Sequence, residues 1–175
     1  MAIPALVGSS LPLGRWHCEL SEFEARFVTG KSPARNEIWK HWKDLTSVLR
    51  SAVGHVAACW IAGSFVSDKV DPADIDCVYV IDSQLINAAL ANTQVAQFLT
   101  LVAGSRLKAQ GIRVDSYILP WDPPPGVRVT SPTESEYVWR RGYWDDLWGR
   151  QRDADPRMGS LPRRGYLEVN LDGYR

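Results

Sequence analysis

The chain has 175 residues, 45% of them apolar and 23% charged, which is enough for one ordinary domain with a real hydrophobic core and excludes a disordered chain. Twenty basic residues balance twenty acidic ones, so net charge gives no argument for a nucleic-acid partner. The N-terminus has no basic region leading into an apolar core, and no stretch reaches membrane-spanning length, so a cytoplasmic protein without a membrane partner is expected.

Residues 1 to 15 carry prolines and glycines and read as an extended arm, and the first 30 residues are expected to lie outside the main elements. A helix is predicted after "KSPAR", with Ser32 as cap and Pro33 in the first turn. Ile38, Trp42, Leu45, Leu49 and Ala52 recur at spacings of four and three and form one apolar stripe that stops at Gly54. "HVAACWIAGS" reads as a buried strand ending at Gly63, and a second strand spans Asp74 to Ile81. Asp82 and Ser83 look like caps for helical sequence from Gln84 to Gln110, with a break near Asn92–Thr93.

"GIRVDSYIL" is a third strand. The prolines of "PWDPPPGVRVTSP" predict a rigid loop. "SPTE" is a capping box with Ser131 as cap and Glu134 reaching back. The helix it opens carries Tyr137, Trp144, Leu147 and Trp148 on one side, and "GYLEVNL" closes the chain as a strand, so residues 131–175 hold a C-terminal helix and strand. This order predicts a single α/β domain with a mixed sheet flanked by helices.

Cys18, Cys59 and Cys77 form no ligand or disulfide pattern and read as buried free thiols, in keeping with a reducing compartment. Most of the eight tryptophans should be core or groove wall. Arg140, Arg141, Arg150, Arg152, Arg157, Arg163 and Arg164 crowd the C-terminal third, either as a basic patch or as a solvated, partly paired surface.

The stretch "IAGSFVSDKVDPADIDCVYVID" carries the chemistry. Asp74 and Asp76 share one face of a core-like strand, where like charges repel unless solvated, protonated or neutralised by a cation. Clustered carboxylates with room for water select hard divalent ions, Mg²⁺ or Mn²⁺. Two such ions about 4 Å apart can clamp an in-line phosphoryl displacement. Gly63 permits close backbone approach and Ser64 offers a hydroxyl for phosphate oxygens. Asp115, a lone acid in an apolar strand, is the candidate third ligand. Asp82 has the right parity but lies about 20 Å farther along the strand, too far to share a metal.

Gly63-Ser64, nine residues, Asp74-Ile75-Asp76 and a later strand acid at Asp115 resemble the signature of the DNA polymerase beta-type nucleotidyltransferase superfamily. Its small members include the minimal nucleotidyltransferases of prokaryotic toxin–antitoxin pairs. The chain is also similar to a group of small bacterial and phage proteins, through Leu11-Pro12-Leu13-Gly14, Gly63-Ser64-Phe65, Lys69, the Pro72–Asp76 loop, the aromatic-rich stretch Trp144–Asp153 and the strand Gly165–Val169. It departs from that group at "RMGSLPRR", which is longer than the group's turn.

The resemblance implies a nucleotidyltransferase-like fold and transfer of NMP from an NTP to a protein or RNA acceptor, with a partner from an adjacent gene. In that reading Asp74 and Asp76 hold the nucleotide-associated metal, and Asp115 completes the second site and helps deprotonate the attacking hydroxyl. Gly63, Ser64 and Lys69 receive phosphate. The alternative is a non-catalytic binding or regulatory component of a toxin–antitoxin or phage-defence system.

Overall fold

A computed structural model describes residues 3–122 and 128–174. Among these, five strands form one mixed sheet in the order β1-β5-β2-β3-β4: β1 (Gly14–Glu19), β2 (Ala58–Ala62), β3 (Ile75–Asp82), β4 (Val114–Trp121) and β5 (Gly165–Asn170). β1–β5 and β3–β4 are parallel, and β2 runs antiparallel to both β5 and β3. The expected α/β architecture with a mixed sheet is present, and the chain closes by inserting its last strand between the first and second.

One face of the sheet is covered by α1 (Leu20–Phe27), α2 (Pro33–Val53), α3 (Ser83–Ala89) and α4 (Thr93–Ala103). α2 begins as expected: the Ser32 hydroxyl accepts from the Arg35 N–H, and the helix ends at Gly54. Its buried stripe includes Ile38, Trp42, Leu45 and Leu49, with Val53 rather than Ala52 as the last fully buried position. Trp39 stacks on Trp42 at 4.3 Å and on Phe23 at 4.9 Å. Side chains of this size dominate the core, each worth about 2 kcal/mol or more when buried.

α5 (Pro132–Gly149) covers part of the opposite face, where Trp148 joins Trp60, Val78, Val80, Leu119 and Tyr166. The capping box is formed as read: Ser131 accepts from the Glu134 N–H, and the Glu134 carboxylate accepts from the Ser131 N–H. A four-residue helix, α6 (Pro156–Gly159), occupies the loop before β5. Asp82 caps α3, as expected, and Asn92 caps α4, so the long helical stretch is broken where the sequence suggested; it also ends earlier, at Ala103, and a separate 3-10 turn covers Leu107–Gln110.

Two expectations need correction. The N-terminal 30 residues are more than an arm: Gly14–Glu19 is an edge strand, and Leu20–Phe27 is a helix whose start is closed by the Glu22 carboxylate accepting from the Glu19 N–H. The segment Leu11–Gly14 does dock as an extended piece. Leu11 is buried, its carbonyl accepts from the Gly165 N–H at 2.9 Å, and the approach is so close that a side chain at Gly165 would collide with the Pro12 carbonyl. The third strand also runs on through Pro120 and Trp121, two residues read as loop. β4 is an edge strand, where a missing N–H costs no ladder bond. Residues 123–127 of the predicted proline-rich loop lie outside the described residues.

Candidate metal and phosphate site

β2 ends in a 3-10 turn, Gly63–Val66, that leads into the loop returning as β3. Arg35 on α2 fixes this loop. It is 3% exposed, and its guanidinium donates to the carbonyls of Phe27, Phe65, Ser67, Lys69 and Val70 at 2.6–3.2 Å. Arg113 fixes the far end, donating to Ala73 O at 2.8 Å and Pro72 O at 3.0 Å, immediately before Asp74. Charge-assisted bonds to carbonyls are among the stronger ones available to a folded chain.

In the β3–β4 register Asp76 stands directly beside Asp115, and Asp74 sits just before β3. One carboxylate oxygen from each of the three aspartates lies within 4.8 Å of the other two. All three side chains are half-buried. The Asp76 carboxylate lies over Gly63, whose φ of +74° is a left-handed conformation, and a Cβ there would overlap the carboxylate. Burial, followed by the charges of Asp74 and Asp115, pushes the Asp76 carboxyl up to about 6.

Lys108 answers this negative charge. It lies on the 3-10 turn Leu107–Gln110, and its Nζ is 2.5 Å from Asp74 and 3.0 Å from Asp115. Asp115 also accepts from the Ser105 hydroxyl. Ser105 holds a φ of +55°, a conformation that costs a non-glycine residue about 1 kcal/mol. A cation already lies between two of the carboxylates, and the donor set is hard oxygen, so these residues fit a divalent ion.

Of the residues named from the sequence, Asp74, Asp76, Asp115 and Gly63 converge, and Ser64 follows Gly63 in the same turn. Lys69 lines a separate cavity of about 710 Å³ with Arg26, Lys31 and Arg35, and none of the three aspartates lines it. Sequence reasoning missed Lys108 and Ser105. Its one available signal was a lysine and a serine seven and ten residues before the candidate acid, on a turn that packs against β4.

The three cysteines are free and buried, as expected. Among the described residues no helix is long and apolar enough to cross a membrane. No curated protein and no solved structure matches the chain. The profile of a family of unknown function, DUF6932, matches residues 8–170 and so takes in every strand and the whole site; the chain belongs to this family.

Proposed function

We propose that the protein is a metal-dependent nucleotidyltransferase that moves NMP from an NTP onto a protein or RNA acceptor in the cytoplasm. The observation that carries this reading is the convergence of Asp74, Asp76 and Asp115 beside the Gly63–Ser64 turn. Three half-buried carboxylates at this spacing repel one another strongly, and such a cluster is expected at a site that binds cations.

A bound Mg²⁺ or Mn²⁺ would supply charge neutralisation for the phosphates and for the attacking oxygen. Asp74 and Asp76 would hold the ion associated with the nucleotide, and Asp76 and Asp115 the second. Asp115, at the start of β4, also accepts the acceptor hydroxyl proton in this scheme; its bonds from Ser105 and Lys108 orient the carboxylate for that task. Gly63 and Ser64 bring backbone and hydroxyl to the phosphate oxygens.

Incubation with labelled NTPs and Mg²⁺, together with RNA or the product of an adjacent gene, tests the reading. Label should move to the protein itself or to one of these acceptors, and Asp76→Asn should abolish the transfer. Absence of transfer across all four NTPs and both acceptor classes counts against it.

A second reading, a non-catalytic component of a toxin–antitoxin or phage-defence pair, is favoured by the exposed aromatics of α5, Trp139 at 68% and Tyr143 at 50%. It predicts a stable complex with a partner that survives alanine at all three aspartates.

A further inference from the structure

Of the seven arginines from Arg140 to Arg164, Arg152 and Arg157 are exposed and make no ion pair among the described residues. Arg140, Arg141, Arg150 and Arg163 pair with Glu136, Asp145, Asp146 and Asp153. That is the solvated, paired surface. Arg164 is different: it is half-buried, and among the described residues no carboxylate lies within ion-pair distance of it. Its Nε makes a long bond of 3.4 Å to the Trp148 carbonyl, and its main-chain N–H bonds to Gly149 O at 3.0 Å.

Its position is set by the sheet. The β2–β5 pairing runs to Ile61 opposite Leu167. Past that point β5 packs against the Gly63–Val66 turn, over which the Asp76 carboxylate lies, and Arg164 is the residue immediately before β5. Electrostatics agree: burial lowers the Arg164 pKa, the charge of Asp76 raises it, and Arg152 lowers it again. Among the described residues Arg164 forms no ion pair with Asp76, and the segment that carries Arg152 is tied to the approach to β5 by the Arg150–Pro162 pairing and by the Arg163 bond to the Gln151 carbonyl.

The half-buried guanidinium makes one weak carbonyl bond, and its remaining nitrogens are not sealed from solvent, so its other donors are open to a ligand. Its planar set of donors matches phosphate oxygens two at a time. We propose that Arg164 is an anion-binding residue of this site, receiving the terminal phosphates of the nucleoside triphosphate beside Gly63–Ser64, with Arg152 at the outer edge. The identity of the ligand rests on the nucleotidyltransferase reading; the anion site itself rests on the placement of Arg164. The carboxylates then mark the cation side of the site, and Arg164 marks the side where charge builds on the leaving pyrophosphate.

The test uses the full chain, inorganic tripolyphosphate as probe, calorimetry for its affinity, and the electron spin resonance of free Mn²⁺ for metal binding. Arg164→Gln should lower tripolyphosphate affinity roughly tenfold, with Arg164→Lys between it and wild type and Arg152→Gln losing about two- to threefold. Mn²⁺ affinity measured without phosphate should not fall in any of these variants. Thermal melting identifies a variant that fails to fold; Arg164→Lys, which keeps stem and charge, and the exposed Arg152→Gln then carry the test. Unchanged tripolyphosphate affinity in the folded variants, or no binding by wild type, overturns the proposal. A wild type that binds tripolyphosphate through Arg164 but takes up no Mn²⁺ keeps the anion site and removes the nucleotidyltransferase reading, so the two failures are told apart.

Discussion

The Asp76 carboxylate occupies the space that a side chain at position 63 would need. Gly63 is thus required twice, once for its φ of +74° and once for the room it leaves. Gly63→Ala should cost about 1 kcal/mol for the backbone conformation and roughly 1–3 kcal/mol more for the overlap. Because relief comes by pushing Asp76 away from Asp74 and Asp115, Mn²⁺ affinity should fall as well. Urea unfolding and Mn²⁺ titration check both. A variant with wild-type metal affinity would show that the Gly63–Asp76 contact has no part in holding the site.

The Lys108 ammonium engages one carboxylate from each of the two proposed ion sites, Asp74 and Asp115, so a bound metal would compete with it for these oxygens. Lys108→Ala should lower the melting temperature of the metal-free protein, since three carboxylates lose their counter-charge. Mn²⁺ affinity should rise by roughly three- to tenfold, a modest gain because Lys108 is 41% exposed and solvent screens its charge. A fall in Mn²⁺ affinity would show that Lys108 assists the site rather than competes for it.

The parts of the fold that were legible in the sequence are those specified by neighbours along the chain. Ser32 and Pro33, the stripe through Leu49, the Ser131 box and the apolar run of β2 each state their structure within a few residues. Asp74, Asp76 and Asp115 were legible for a related reason: acids in core-like strands conflict with burial, and the conflict points to a cation. β1 was missed because Gly14–Glu19 is a short edge strand with only Cys18 fully buried, so its pattern carries little apolar alternation. The cap of α1 uses Glu22 instead of a Ser/Thr cap. Lys108, Ser105, Arg35 and Arg164 share a different obstacle. Their partners lie in other elements, and only the assembled sheet brings them within reach.

The raised Asp76 pKa has a definite pH signature. At about 6 in the folded chain, it exceeds the ordinary carboxylate value of about 4. Between these values the folded state holds a proton that the unfolded chain has released, so metal-free stability falls as pH rises through the window. Asp76→Asn removes that penalty and should melt above wild type near neutral pH without metal, the difference shrinking toward pH 4. Protons and metal compete for the same oxygens, so wild-type Mn²⁺ affinity should drop about tenfold per pH unit below 6. Melting curves with chelator and Mn²⁺ titrations over this range provide the check; a flat affinity would place Asp76 outside the metal site.

Arg35 touches none of the three aspartates, yet it holds the loop that leads to Asp74. Its guanidinium serves carbonyls from Phe65 to Val70 and faces the Phe65 ring at 5.0 Å. Arg35→Met keeps much of the side-chain volume but removes every donor, leaving several carbonyls without a partner. The expected cost is about 3–5 kcal/mol, read by urea unfolding. Arg35→Lys should recover part of it, since an ammonium keeps the charge but cannot span the same carbonyls. Amide exchange in the 64–71 segment should speed up in Arg35→Met before global unfolding, and Mn²⁺ affinity should fall in parallel, because the loop sets the position of Asp74. A variant within about 1 kcal/mol of wild type, with unchanged exchange, would mean that Arg113, the strand pairing and the Ser32 and Ser9 bonds to Val70 and Asp68 hold the loop without Arg35.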